Sequence, residues 1–498
     1  MFQLSLRSNS SISVIACLRR ILPCLFAMAV ALPHFCFSQA NLGSNQGVSK
    51  EALESANNRI FEGVHRELTQ MIPGEVQPGS KLEASLKEVA QLFSTRKLKE
   101  AQSALEKLEA ADSRVPPAKL LLAAMAYAVG DGNSGKRLLE AAAISNSDYP
   151  DIYFSFARLA LGQNRITDAD ALADKALSAI QNSDGAFTKE QIDHFKRRYF
   201  DSKYQVAKGR GKVDDAKAAV AELAAIAPQA PQTLVARAEV ALDSNEMDQA
   251  LGFLRELGQQ QTGESSRPAE VTLASWLQAR GKVEEAGALL KRAASERKGD
   301  AQIQLALAQW LIKQEDFPAT LSAIKALEEI KGDTNGSREL RGKVAFAQGA
   351  YAIAENQFKR LSSENPANVD YANLYALSLV HSTAKEKQDL AVNLARKVAQ
   401  AKLGNVSAMS SLAYVLMKTD QLKAAKTILA KVAKQPNLNA EVTFIICYML
   451  SETGQVVQAK PVLEKIIGSK GLFLFRTEAK KLLKINAQSS GGLPSPNR

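Results

Sequence analysis

The sequence predicts an all-α protein in which about eleven helix-turn-helix units stack side by side as an α-solenoid. Three observations support this fold class: a small residue recurs at a nearly fixed spacing, apolar residues follow it at helical spacing, and Gly or Asn precedes it. The composition agrees, since 46% of the 498 residues are apolar but only 6% are aromatic. Such a mixture is typical of long helices that pack through small side chains.

The recurring small residue, which we call the anchor, lies in segments such as KVDDAKAAV and KVEEAGALL. Seven of the ten intervals between successive anchors are 34 residues, and the other three are 47, 36 and 37 residues. Insertions in the polar, loop-like stretches 178–194, 258–266 and 382–388 explain the longer intervals. The anchors are Ala101, Gly135, Ala169, Ala216, Ala250, Ala286, Thr320, Ala354, Ala391, Ala425 and Ala459.

An anchor must be small because two antiparallel helices approach most closely there, and a larger side chain would overpack the crossing. A second small residue lies twelve positions earlier, on the helix that faces the anchor, in most repeats. These facing residues are Ala123, Ala157, Ala238, Ala274, Ala308, Gly342, Ala413 and Cys447. We therefore predict a small-on-small contact within each helix pair.

The turn between the two helices of a pair is predicted five residues before the anchor. Gly and Asn tolerate a positive φ better than other residues, so they commonly end a helix. This position is occupied by Gly130, Asn164, Gly211, Asn245, Gly281, Gly349 and Gly454. Further apolar residues four and seven positions after each anchor, such as Leu254 and Leu257, complete a buried stripe.

These spacings resemble the tetratricopeptide repeat (TPR) family, whose 34-residue unit has small residues at its eighth and twentieth positions and an interhelix Gly near its fifteenth. The resemblance covers about residues 81–469. It implies a right-handed α-solenoid whose inner, concave face is lined by the first helix of each pair. The sequence departs from the family in two respects: the Trp and Tyr of the first helix are mostly Ala or Leu, and the late Pro is clear only at Pro228 and Pro366.

The segments outside the array have distinct compositions. We predict an amphipathic helix over Lys50–Met71 within a polar leader and linker at residues 41–80. A C-terminal capping helix over residues 470–486 would shield the last repeat, because residues 472–485 alternate Phe and Leu with Lys. Residues 487–498, AQSSGGLPSPNR, have the composition of a disordered tail.

The N-terminus predicts export. Three Arg residues precede an apolar stretch at residues 21–37, and Ser38-Gln39-Ala40 is a small-x-small cleavage pattern. We therefore expect a signal peptide over residues 1–40, cleaved after Ala40, and a periplasmic or cell-envelope location. Two alternatives stay open: an uncleaved membrane anchor, although 17 residues fall short of a span, and lipidation at Cys17.

Cleavage would leave Cys447 as the one cysteine of the mature chain, which excludes an intrachain disulfide. The formal charge of +11 would fall to +8 with the loss of three Arg. Because Lys and Arg are interspersed with Asp and Glu and form no basic run, we expect no nucleic-acid partner.

No enzyme motif is present, and the four His residues show no metal-ligand spacing, so we expect no enzymatic activity, no cofactor and no metal. Aromatic, basic and amide side chains on the first helices instead favour a protein or peptide partner. By register, the candidate partner-binding residues are Tyr127, Phe154, Arg158, Gln205, Lys208, Glu239, Gln309, Lys343, Tyr414 and Tyr448. Phe93, Phe346 and Met417 share this face, and we expect them to pack between neighbouring repeats.

The sequence thus predicts a non-catalytic interaction scaffold of the cell envelope. The alternative is a structural subunit of an export, pilus or polysaccharide-secretion machine, in association with membrane-bound components. Neither hypothesis explains the insertion at residues 178–194, which is therefore the most specific place to look for an additional function.

Overall fold

The computed structural model describes residues 50–260 and 267–490, which contain 24 α-helices and no β-strand. Three parts of the sequence analysis lie outside the described residues. They are the predicted signal peptide, residues 261–266 of the insertion at 258–266, and residues 491–498 of the predicted tail. The chain divides into two compact units, unit 1 within residues 1–262 and unit 2 within residues 263–498. No helix in the described ranges is both long enough and apolar enough to cross a membrane.

Unit 1 contains α1 to α11. Their bounds are α1 Lys50–Met71, α2 Lys81–Ser94, α3 Leu98–Ala111, α4 Ala118–Ala128, α5 Gly132–Ser145, α6 Pro150–Gly162, α7 Ile166–Gln181, α8 Lys189–Gly209, α9 Val213–Ile226, α10 Pro231–Asp243 and α11 Met247–Gln260. Helices α2 to α11 form five consecutive pairs, and α1 precedes them and packs against α2 and α4.

Unit 2 contains α12 to α24, of which α12 to α23 form six consecutive pairs. Their bounds are α12 Ala269–Ala279, α13 Val283–Glu296, α14 Ala301–Lys313, α15 Phe317–Lys331, α16 Asn335–Ala347, α17 Tyr351–Glu364, α18 Val369–Leu379, α19 Lys385–Ala401, α20 Val406–Lys418, α21 Leu422–Val432, α22 Ala440–Glu452, α23 Val456–Ile467 and α24 Arg476–Ser490. The all-α helical-repeat fold class is thereby confirmed.

The predicted register holds in every pair. Each anchor lies in the second helix of its pair, and all eleven anchors are buried. The facing small residues of the first helices are buried as well, for example Ala157, Ala308 and Ala413, which have no exposed surface. Small side chains therefore lie at the helix crossings, where backbones must approach.

Aromatic rings fill the space where an anchor or facing position lacks a methyl group. A Cβ added to Gly342 would lie 2.8 Å from the Phe358 ring, and one added to Gly135 would lie 2.9 Å from the Tyr127 ring. These glycines are therefore required by packing within helices, where glycine is otherwise unfavourable by about 1 kcal/mol.

The predicted turn residues all adopt the left-handed conformation. The φ angles of Gly130, Asn164, Gly211, Asn245, Gly281, Gly349 and Gly454 lie between 58° and 81°. The equivalent position in three other pairs has a residue for which this conformation is less favourable: Arg96, Glu315 and Asp420, with φ of 62°, 58° and 59°. The backbone geometry of the turn is thus kept even where the sequence does not favour it.

The long insertion after the third anchor is mostly helical, which corrects the expectation of a loop at residues 178–194. Helix α7 continues to Gln181, and α8 begins at Lys189 and runs for 21 residues. A capping box starts α8: the Thr188 hydroxyl accepts from the Gln191 N–H, and the Gln191 side chain accepts from the Thr188 N–H. This local cap makes the extra turns of α8 helical.

The two terminal helices differ in how well the sequence predicts them. Helix α1 covers Lys50–Met71, as expected. Helix α24 begins only at Arg476 and continues to Ser490, into the stretch that was predicted to be a disordered tail. The preceding residues 471–475 include no α-helix, and they carry two fully buried Phe side chains.

Candidate functional site

The candidate site in unit 1 is the face formed by the first helices α4, α6, α8 and α10, which we call the unit 1 face. Neighbouring first helices contact each other directly in this region, as α6 and α8 do. The face presents charged side chains from successive helices. Six predicted residues lie on these helices: Tyr127, Phe154, Arg158, Gln205, Lys208 and Glu239.

Five of these six side chains are at least partly accessible. Arg158 is the most exposed, at 54%, and its guanidinium lies 3.3 Å from the Glu67 carboxylate of α1. The Lys208 ammonium lies 2.5 Å from the Glu239 carboxylate on the next first helix. Glu239 also accepts a hydrogen bond from the Tyr204 hydroxyl. Two ion pairs between helices, one joining α1 to α6 and one joining α8 to α10, thus order the charges of this face.

Asp201 lies between the basic residues of the unit 1 face. Its side chain is exposed, and Arg198, Arg158 and Lys208 are the cations near its carboxyl. Its carboxyl also hydrogen-bonds to Gln205, a predicted residue. An exposed carboxylate beside three cations can exchange ion pairs with a charged partner segment.

Tyr127 and Arg158 line a small pocket on the same face. The other lining residues are mostly apolar, and the pocket has room for about one water molecule. The Tyr127 ring rests on the Gly135 anchor, so its position is fixed by the packing of α4 against α5. The pocket is too small for a cofactor, but it can accept the end of a side chain.

The prediction that Phe154 binds a partner is wrong. Its side chain is only 1% exposed, so it cannot contact a partner. It packs with Phe195, which belongs to the N-terminal part of α8 that the insertion creates. The Arg198 guanidinium lies above its ring, 5.9 Å from the centroid. The 34-residue register places Phe154 on the surface because it does not account for these additional turns of α8.

A buried ionic cluster that the sequence did not predict fixes α8 to α6. The Asp151 carboxylate is fully buried, and both His194 Nε2 and Arg198 Nε lie 3.2 Å from it. Burial alone would raise the pKa of Asp151, but Arg198 and His194 hold it below its ordinary value. The position of His194 at the end of the insertion is the sequence signal that could have indicated this cluster.

The candidate site in unit 2 is the corresponding face of α14, α16, α18, α20 and α22, which we call the unit 2 face. Two predicted residues are accessible there. Gln309 is exposed on α14, and Lys343 on α16 is partly exposed and lies 2.5 Å from the carboxylate of Glu339, one turn earlier. Glu339 in turn accepts a hydrogen bond from the Tyr371 hydroxyl of α18 at 3.2 Å.

The prediction that Tyr414 binds a partner is also wrong, because its side chain is fully buried. The side chain of Tyr448, another predicted residue, is half-buried. Their rings are in contact, with centroids 5.5 Å apart. The Lys418 ammonium lies above both rings, 5.6 Å and 4.6 Å from the centroids of Tyr414 and Tyr448. Burial lowers the pKa of Lys418. Phe346 and Met417 are buried, as expected for residues that pack between repeats.

The burial of Tyr414 is caused by residues 471–486, which we call the C-terminal segment. The Phe475 ring lies 5.0 Å from both the Tyr414 ring and the Phe444 ring, and 5.3 Å from the Phe346 ring. Phe473 also contacts Phe444. The capping helix is therefore not confined to the last repeat: its N-terminal part lies on the unit 2 face.

Polar contacts fix the same segment to the turns of earlier pairs in unit 2. The Glu315 carboxylate accepts from the Phe473 N–H at 3.0 Å and lies 2.7 Å from the Arg476 guanidinium. The Thr477 hydroxyl donates to the Ala347 carbonyl at 2.6 Å, and Tyr351 donates to Glu478 at 2.9 Å. Helix pairs α14–α15 and α16–α17 thus hold a segment that follows α23.

His381 completes the aromatic cluster of unit 2. Its ring stacks on Tyr351, with centroids 3.5 Å apart. Burial, together with the nearby Lys418, lowers the pKa of His381 to about 4. The imidazole is therefore neutral at pH 7 and acts as an aromatic packing group. Within residues 50–260 and 267–490, no group of three His, Cys, Asp or Glu side chains is placed to bind a metal ion.

No protein family profile and no curated protein matches the chain. Solved structures that resemble it include a tetratricopeptide repeat protein from Parabacteroides merdae, with 14% identity and a TM-score of 0.39, covering 52% of this chain and 98% of that one. Pseudomonas aeruginosa pilF shows 16% identity and a TM-score of 0.30, covering 43% and 96%. Yeast Tom70 shows 11% identity and a TM-score of 0.31, covering 84% and 98%. Tetratricopeptide repeat proteins are thus among the solved structures that resemble the chain, at identities too low to transfer a function.

Proposed function

We propose that this protein is a non-catalytic scaffold of the cell envelope that holds a protein or peptide partner on the unit 1 face. One observation carries the proposal: four polar side chains on three successive first helices remain at least partly accessible, while Ala157, Val206 and Ala238 of the same helices are buried. The four are Arg158, Gln205, Lys208 and Glu239. Polar groups that are accessible, ordered and arranged across several helices suit an extended or helical partner segment.

The chemistry of the face defines the partner that we expect. Arg158 and Lys208 are paired with Glu67 and Glu239, so a partner must offer both acidic and basic groups to replace or extend these pairs. The Arg158–Glu67 pair is partly exposed, and exposed ion pairs contribute little net stability, so exchanging this pair for partner contacts costs little free energy. Charge complementarity would then determine specificity and association rate more than affinity.

Affinity purification of the protein from an envelope extract tests the proposal. The double variant Arg158→Ala/Lys208→Ala should lose most of the captured partner, with a reduction of about tenfold for each charge-assisted contact that is removed. The matched control is Lys136→Ala/Lys217→Ala, because these two side chains lie on second helices α5 and α9 and also form ion pairs. Equal capture by the two double variants would show that the unit 1 face is not the partner site.

The envelope location is a separate part of the proposal. It is supported by the arginines, the apolar stretch and the small-x-small pattern of residues 1–40. Cell fractionation followed by N-terminal sequencing should recover a chain that begins at Asn41. Recovery in the cytoplasm with an intact N-terminus would contradict export, while a large detergent-stable complex with the leader retained would favour the structural subunit of a secretion machine.

A further inference from the structure

The C-terminal segment has the features of a bound peptide. Residues 471–475 are not part of an α-helix, and Phe473 and Phe475 are each 1% exposed while the intervening Leu474 is half-buried. Leu474 and Phe475 lie in a turn that the Arg476 N–H closes by donating to the Phe473 carbonyl at 3.0 Å, and both Phe rings enter one surface together. In this segment both rings reach Phe444 of α22, and Phe475 also reaches Tyr414 of α20.

The surface that receives the segment belongs to several first helices and not only to the last repeat. Besides α20 and α22, the contacts include Phe346 at the end of α16 and Glu315 in the α14–α15 turn. A helix that serves only to cap the array would contact the last pair. Helix α24 does pack on α22 and α23, but the segment also extends beyond the last pair and covers Tyr414, a candidate partner-binding residue of the unit 2 face.

Glu315 is specialised for this contact. It occupies the turn position at which most other pairs have Gly or Asn, and its φ of 58° is unfavourable for Glu. Its carboxylate nevertheless contacts both the Phe473 N–H and the Arg476 guanidinium. Asp420 has the same backbone conformation, with φ of 59°, in the α20–α21 turn and provides a matched position.

The connection to the segment is short and exposed. Gly468, Lys470 and Gly471 are exposed, and Gly471 has a φ of 92°. The Arg476 guanidinium donates to the carbonyls of Ser469 and Gly471 at 2.9 Å, so these polar contacts form one group with Glu315. Loss of this group would free the segment at its N-terminal end without changing any helix of the repeat pairs.

We propose that the C-terminal segment is a built-in ligand of the unit 2 face, displaced by a partner peptide with the same chemistry: two aromatic residues separated by one residue and followed directly by Arg. This inference rests on the proposed function, in which the protein holds a peptide partner. It adds a second binding face, the chemical class of its ligand, and an intramolecular competitor that lowers the affinity of the intact chain.

The test uses the full chain with a specific protease site inserted between Lys470 and Gly471. After cleavage, a fluorescent synthetic peptide covering residues 471–490 is added, and its fluorescence anisotropy is followed. We expect the peptide to bind the cleaved protein by exchange and to bind the uncleaved protein at least tenfold more weakly, because the tethered segment competes at a high effective concentration. The same peptide with Phe473→Ala and Phe475→Ala should not bind.

Variants of the cleaved protein test the role of Glu315. Glu315→Asn keeps a residue that tolerates positive φ and removes the carboxylate that Phe473 N–H and Arg476 of the peptide contact, so the bound peptide should dissociate about tenfold faster. Asp420→Asn makes the same kind of change in another turn and should leave peptide binding unchanged. Equal effects of the two substitutions would contradict the assigned role of Glu315.

Two outcomes would overturn the inference: a cleaved segment that does not exchange over days, or loss of the native tryptophan emission of unit 2 on cleavage. Either would make the segment a permanent part of the core. The proposed function fails by a different measurement, because partner capture depends on Arg158 and Lys208 in unit 1. Capture without peptide exchange would refute only this inference, and exchange without capture would refute only the proposed function.

Discussion

Gly287 offers the sharpest test of the packing argument, because two physical effects predict opposite results for Gly287→Ala. It lies inside α13, where replacing Gly with Ala normally stabilises a helix by about 1 kcal/mol. However, a Cβ at this position would lie 2.1 Å from Cζ2 of Trp310, far inside the 3.5 to 4.0 Å that is optimal for carbon atoms. The result depends on whether the indole ring can move.

The structure restricts that movement. Trp310 is 5% exposed, and its Nε1 donates a hydrogen bond to the Val283 carbonyl at 3.1 Å. Displacing the ring would break this bond and push the side chain against its neighbours, and overpacking of this kind costs about 1 to 3 kcal/mol. The higher helix propensity of Ala offsets at most about 1 kcal/mol of this overpacking cost. We therefore expect Gly287→Ala to destabilise unit 2 by about 1 to 2 kcal/mol.

Urea unfolding followed by circular dichroism measures the effect, and tryptophan fluorescence reports unit 2 because Trp276 and Trp310 are the two tryptophans of the chain. Gly252→Ala in α11 is the matched control: nothing lies within 4 Å of its added Cβ, so it should stabilise by about 0.5 to 1 kcal/mol. In a Trp310→Leu background, Gly287→Ala should lose its penalty. Stabilisation by Gly287→Ala in the native background would refute the reasoning.

Three further predictions concern burial and charge. Asp151→Ala should destabilise unit 1 by about 1.5 to 3 kcal/mol in chemical denaturation because it removes the fully buried carboxylate that pairs with Arg198 and His194, whereas Asp168→Ala, which breaks an exposed pair, should cost under about 1 kcal/mol. The pKa of His381 falls from 6.5 to about 4 on folding, so unit 2 should lose up to about 3 kcal/mol of stability as the pH is lowered from 6.5 towards 4, and His381→Phe should flatten this pH dependence. Ala425→Leu should overpack its helix crossing by about 1 to 3 kcal/mol, and thermal melting should show no such loss for the exposed neighbour Lys426→Leu.

The sequence predicted the repeat pairs well because each is determined by local spacing. Anchors, facing residues and turn residues lie within one helix pair, where helical geometry fixes which positions meet. That is why Ala286 and Ala308 are buried and Gly281 adopts a positive φ, as expected. Helix α1 was predictable for the same reason, since its apolar residues recur on one side of a single helix.

The site could be predicted only in part, because its exposure depends on segments outside the repeat register. Phe154 is covered by the additional turns of α8, and Tyr414 by the C-terminal segment, which follows it by some sixty residues in sequence. A sequence signal for the second case does exist. Helix α22, AEVTFIICYMLSE, is apolar on nearly all sides, and such a helix must be covered on the face that the repeats leave open.

The two units differ in the ligands that their faces can accept. In unit 1, the accessible residues of the first helices include the charged Arg158, Lys208 and Glu239, and α1 reaches this face through Glu67 and Met71. In unit 2, the covered residues are aromatic, and the segment that reaches them brings two Phe and one Arg. A polar face can remain open to water, but an aromatic face of this kind exposes apolar surface if nothing covers it. The face of unit 1 can therefore stay in contact with water, whereas the aromatic face of unit 2 must be covered, and the C-terminal segment supplies that cover.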